Sequence, residues 1–142
     1  MYEELDAFLD EFGKETDRAC AVLGAAYLDE ILRKSIETFF PVKNKLDDLM
    51  NGPLSGLHTR ILVAHCLGII DDDMCDDLML IKKIRNEFAH QIHGLTFSEH
   101  KIVNWCASLK HWKMSDLQLD SKGKFILTVA IIAYEIERAR IL

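Results

Sequence analysis

From residue 72 to residue 93 the chain repeats apolar side chains every three or four positions: Leu78, Ile81, Ile84 and Phe88. That spacing puts them on one stripe of a helix and demands a partner surface to cover them. The same period governs nearly everything else in the sequence. No stretch between turn signals alternates apolar and polar residues as a half-buried strand does. The chain is therefore expected to be all-α, a compact bundle of five to six helices in a single domain over residues 1–142.

The remaining helices follow from their stripes and stops. Residues 3–13 carry Leu5, Phe8, Leu9 and Phe12 at helical spacing, with Gly13 as a stop. A second helix runs from Thr16, its cap, to Phe40, where Pro41 ends it. Its expected buried face is Cys20, Leu23, Tyr27, Ile31, Leu32 and Phe39, and Gly24-Ala25-Ala26 thins its middle so that another helix can approach. Leu46–Met50 makes one turn, and Asn51-Gly52-Pro53 is a turn signal. Ser55 is expected to cap a helix carrying Leu57, Ile61, Leu62 and Leu67 that ends at Gly68. Asp71 caps the central helix, Asp72 and Asp73 favour its positive end, and Gly94 terminates it. Ser98 caps a helix to His111 with Ile102, Trp105, Cys106 and Leu109 inward, and residues 113–122 form a polar loop. The last helix, 122–141, shows Phe125, Val129, Ile132 and Ile136 on a stripe that other apolar residues broaden nearly all round. Such a helix is either central in the fold or part of an oligomer interface.

Composition excludes several classes. A net charge of −6 argues against a protein whose main task is gripping DNA phosphates, although Lys82, Lys83 and Arg85 form a local basic group. The four cysteines, Cys20, Cys66, Cys75 and Cys106, form no C-x-x-C pair and read as reduced thiols of a cytoplasmic protein. The first fifteen residues are acidic and amphipathic, unlike a secretory signal, and the longest apolar run, Phe125–Tyr134, is too short for a membrane span. His90-x-x-His93, His65-Cys66 and Cys75 lack the paired spacing of a zinc site, so no metal is expected. Gly52-Pro53-Leu54-Ser55-Gly56 precedes a helix without a following Lys-Ser/Thr, so it is no phosphate-binding loop, and no cofactor is implied. The turn at Gly68 joins two helices as in a DNA-reading motif, but the second opens on Asp71-Asp72-Asp73, which repels phosphate.

The polar residues of the central helix carry the candidate chemistry. Lys83, Asn86, His90 and His93 share one stripe. Arg85 lies five residues before His90, about 140° away around the helix, so a site using both needs a second helix or a second copy of the chain. Arg85, Asn86 and His90 resemble the R-x(4–6)-H signature of HEPN domains, small helical bundles. In catalytic members that resemblance implies metal-independent RNA cleavage at a dimer groove. His90 would move a proton, Arg85 would hold the scissile phosphate, and Asn86 would orient. An arginine and a histidine five apart also recur without chemistry, and the structural reading is favoured here. In it Arg85 pairs with Asp29 or Glu30 of the second helix and fixes helix register.

A wider set of motifs is more specific. Asp17-Arg18-Ala19 through Ala25-Ala26-Tyr27-Leu28-Asp29-Glu30, then Gly52-Pro53-Leu54, Leu67-Gly68-Ile69-Ile70, and Ile84-Arg85-Asn86 with Phe88-Ala89-His90, resemble the mannitol operon repressor family. The resemblance spans about residues 16–105, and the final helix is similar in character only. It implies an all-helical regulator of transcription without a DNA-reading element. The expectation is a non-catalytic module that acts through protein–protein contacts, with a DNA-binding regulator as partner, as a homodimer, and without direct DNA binding or membrane attachment. RNA enters only under the ribonuclease alternative. A scaffold dimer using the last helix is the third reading.

Overall fold

The computed structural model describes residues 2–91 and 93–141, with the side chains of residues 2–6, 8 and 141 outside the description. Among the described residues it is all-α, with seven helices: α1 (Tyr2–Gly13), α2 (Asp17–Glu37), α3 (Leu46–Asn51), α4 (Leu57–Cys66), α5 (Asp72–His90), α6 (His100–Ser108) and α7 (Ser121–Ile141). One 3₁₀ turn, His111–Met114, connects α6 to α7. The expected five to six helices become seven because Leu46–Asn51 closes a full short helix. The expected Leu5 and Phe8 contacts lie outside the described residues.

α2 and α7 form the centre. α2 packs on α4, α5 and α7, while α7 also meets α1, α5, α6 and the 3₁₀ turn. α7 is thus apolar nearly all round because it is surrounded: Phe125, Val129, Ile132 and Ile136 are fully enclosed. The thin spot on α2 is what lets the two meet. An added Cβ at Gly24 would stand 3.1 Å from the Phe125 ring and 3.3 Å from the Phe12 ring. The buried face of α2 keeps Cys20, Ile31 and Leu32 of the expected one, with Tyr27 half-buried. Ala21, Gly24, Ala25, Leu28, Ile31, Leu32 and Ile36 go inside, while Leu23 and Phe39 stay exposed. Gly24 leaves room for the Phe125 ring of α7, and the large Leu28, Ile31, Leu32 and Ile36 fill the rest of the buried face.

α5 crosses this pair with the stripe its spacing predicts: Leu78, Ile81, Ile84 and Phe88 are fully buried. A chain of aromatic rings then locks its C-terminal half. Phe88 meets Phe97 at 5.0 Å between centroids, and Phe97 meets Phe125 of α7 at 5.3 Å.

The ends are held by caps, some unexpected. Thr16 Oγ1 accepts from the Ala19 amide at 3.2 Å, and Asp71 Oδ1 from the Met74 amide at 2.9 Å. α2 stops at Glu37, ahead of Pro41. Thr38 turns its hydroxyl back onto the Ser35 carbonyl, and the residue before a proline disfavours helix. Ser55 does not cap α4; Gly56, at φ 87°, leads into it. Ser98 does not cap α6 either: Glu99 reaches the amides of Lys101 and Ile102. α5 ends at His90 with Gln91 extended, so Gly94, at φ 75°, serves the following loop and not the helix end. Among the described residues, no helix is long and apolar enough to cross a membrane.

Candidate functional site

The central stretch occupies the last two turns of α5. Its neighbours fix which way each side chain leaves the helix. Lys82 reaches His58 of α4, Nζ to Nδ1 at 2.8 Å. Lys83 goes the other way and stands 4.8 Å over the Trp105 ring of α6, which Lys101 also approaches at 5.4 Å. Glu87, beside Lys83 on that flank, accepts from Lys101 Nζ at 3.0 Å, and this bond holds its carboxyl below the usual range.

Arg85 sits three residues from Lys82 on the α4 flank, and His90 seven from Lys83 on the α6 flank. Five residues on one helix place the two about 140° apart around its axis, so α5 alone does not aim both at a common atom. Arg85 Nε donates to Asn86 Oδ1 at 2.8 Å, so the arginine is partly occupied by its own neighbour. His90 is exposed. His93 lies beyond the helix. With Thr16, Asp17, Arg18, Gly94, Leu95 and Thr96 it lines an open surface groove of about 370 Å³. Arg18 crosses to donate to the Gln91 carbonyl and ties this loop to α2.

The expected pairing of Arg85 with Asp29 or Glu30 gives way to another arginine. Asp29 Oδ2 accepts from Arg60 Nη1 at 3.0 Å, and among the described residues Arg85 makes no ion pair with either acid. Arg60 is buried on α4 and also donates to the carbonyls of Leu54 at 3.1 Å and Met50 at 2.9 Å. One guanidinium thus joins α4, α2 and the turn that follows α3. Glu30 is exposed.

A second buried polar group was also absent from the sequence reading. Asp77 is fully enclosed, and its carboxylate accepts from the Lys110 amide, the His111 amide and His111 Nδ1, the last at 2.6 Å. The hydrogen bond to Asp77 raises the His111 pKa against the opposing effect of burial. Outside it, Lys110 Nζ spans Asp73 at 3.1 Å and Asp76 at 2.7 Å. The pairing fastens the 3₁₀ turn to α5. A signal existed for both groups. Asp77 falls four, seven and eleven residues before Ile81, Ile84 and Phe88, and Arg60 falls between Leu57 and Ala64. A charge on a buried stripe must find partners there.

The thiols divide by burial. Cys20 and Cys106 are enclosed, and burial pushes both up to about 12, so neither is a nucleophile near neutral pH. Cys66 is exposed. Among the described residues no three His, Cys, Asp or Glu side chains are placed to hold a metal ion. The region around α5 is thus a surface of alternating charge on a rigid helix, with its enclosed polar groups committed to holding elements together.

A family model described as mannitol repressor matches residues 23–138. This all-helical chain belongs to the mannitol repressor family, and that membership implies a role in transcriptional regulation. The match runs through α7, further than the motifs alone reach. No curated protein and no solved structure matches the chain.

Proposed function

We propose that this protein is a non-catalytic regulatory module that acts on transcription through contacts with other proteins, a DNA-binding regulator among them, and does not read DNA itself. The observation that carries this reading is the start of α5. The family match places the chain among regulators, yet its helix–turn–helix passage, α4 through Gly68 to α5, opens its second helix on Asp71, Asp72 and Asp73. Asp72 and Asp73 project into solvent with side chains 92% and 63% exposed. A recognition helix places its N-terminal residues against the bases, where such carboxylates are repelled by phosphate.

The Arg85-x₄-His90 spacing suggests a second reading, a HEPN-like ribonuclease. Cleavage of RNA would need those two groups in one groove, which their positions on the helix leave to a second copy of the chain. The test pairs two measurements. The protein is overproduced in its native host and the responding transcripts are recorded; the promoters of those transcripts are then used in gel shifts with the purified protein at low salt. The expected result is a transcript response without a shift by the protein alone. A specific shift by the protein alone, or no transcript response, would overturn the proposal.

A further inference from the structure

The outer surface of α4 and α5 has a charge order that the regulatory role does not explain. Asp72, Asp76, Met79, Lys83, Asn86 and His90 recur at offsets of four, three, four, three and four, a single line along α5 facing away from its buried stripe. α4 lies antiparallel beside that line, because His58 bonds Lys82 at one end and His65 Nε2 bonds Asp72 Oδ1 at 2.7 Å at the other. Between those ends α4 presents Leu62, 46% exposed, and α5 presents half-buried Cys75 and Met79.

One end of this face is acidic. Asp72, Asp73 and Asp76 keep side chains more than 60% exposed even though His65 and Lys110 touch them. The other end is basic, with Lys82 and Lys83, while the nearby acid Glu87 is already bonded to Lys101. A purely acidic or purely basic partner would match one end and be repelled at the other. A copy of the same face, turned end for end, matches both at once, as a two-fold interface requires.

We propose that this face binds a second copy of the chain, with the two α5 helices antiparallel and the Asp72–Asp76 end of each copy against the Lys82–His90 end of the other. Leu62 and Met79 lie near the two-fold axis. α5 has 19 residues, about 28 Å of helix. With the 10-residue α4 beside it, the face is short and its contacts mainly charged, where a standard stable interface buries about 800 Å² per partner. The dimer is therefore weak, concentration-dependent and sensitive to salt. In it the two His90 side chains stand at opposite ends of the interface, so this dimer builds no composite Arg85–His90 groove. The inference is independent of the regulatory reading, because it concerns mass in solution alone.

The test is sedimentation of the whole chain from about 1 to about 200 µM, in low salt near 50 mM and high salt near 500 mM. Two charge-reversed variants, K82E/K83E and D72K/D76K, are run singly and mixed, with circular dichroism to confirm their fold. The expected result at low salt is a mass rising from 16.3 kDa toward twice that value. Association should be at least about tenfold weaker at high salt, and similarly weakened in each variant alone. It should return when the two variants are mixed, since each then carries the charge the other needs. A wild-type chain that stays monomeric throughout overturns the proposal. So does a dimer indifferent to salt, a measurement that needs no variant, or a mixture of folded variants that fails to associate.

Discussion

Asp77 and His90 stand on the same helix, about 20 Å apart along its axis, and the fold treats them in opposite ways. Asp77 is sealed from water and accepts from two backbone amides and a histidine ring. His90 stands in solvent at the helix end. The residue that a motif singles out is thus the one the structure leaves open. The residue that no motif marks is the one it surrounds. Preorganised polar geometry in this chain secures the connection between α6 and α7, and the exposed polar stripe of α5 is available for contact with another surface.

The contrast can be broken most forcefully at its buried end. Asp77→Ala should cost about 3–5 kcal/mol, because it strands a buried histidine and two amides. Phe88→Ala, on the same helix and purely apolar, should cost a similar about 3–5 kcal/mol. Urea unfolding of the two variants measures both. An Asp77→Ala loss under about 1 kcal/mol would show that the buried pair holds nothing. Arg60→Ala should follow at about 2–3 kcal/mol, since it leaves Asp29 and two carbonyls without their donor. A near-neutral result by thermal denaturation would mean that α4 is held by its apolar face alone.

The pH dependence sharpens the same comparison. The folded-state pKa of His111 is raised, so its contribution is complete below the ordinary histidine value of about 6.5. It is lost as pH rises through the raised value. Stability measured from pH 5 to 9 should fall over that window in the wild type and much less in His111→Gln; equal profiles would contradict the assignment. At the exposed end, His90→Ala should change stability by no more than about 0.5 kcal/mol. A larger loss would mean that His90 has a structural bond of its own.

Much of the architecture was legible because burial follows helical period. The α5 stripe, the thin point of α2 at Gly24 and the caps at Thr16 and Asp71 stand where their residue types require. On α2 the period holds for Cys20, Ile31 and Leu32, but size alone does not say which other residues turn inward. Leu23 and Phe39 are exposed, Phe39 lying past the end of the helix, while Ala21 and Ala25 are buried beside Leu28, Leu32 and Ile36. Helix ends defined by Ser55 and Ser98 were missed because an adjacent residue, glycine in one case and glutamate in the other, takes the cap position.

The site was legible only in direction. The period gave the angle between Arg85 and His90, but not which arginine would meet Asp29. The order of residues does not say which helix will lie nearer. Arg60 wins because it projects from the buried face of α4 straight onto α2. The line of alternating charge on α5 was in the sequence throughout, and its meaning waited on the neighbour that frames it.

The most direct test of the account is RNA cleavage by the purified chain in EDTA, run beside His90→Ala. The account predicts no cleavage above the buffer control by either protein, because Arg85 and His90 lie about 140° apart around α5 and the proposed dimer does not bring the pair of one copy to that of the other. Cleavage by the wild type that disappears in His90→Ala, with the fold intact by circular dichroism, would contradict it and make the exposed end of α5 an active site.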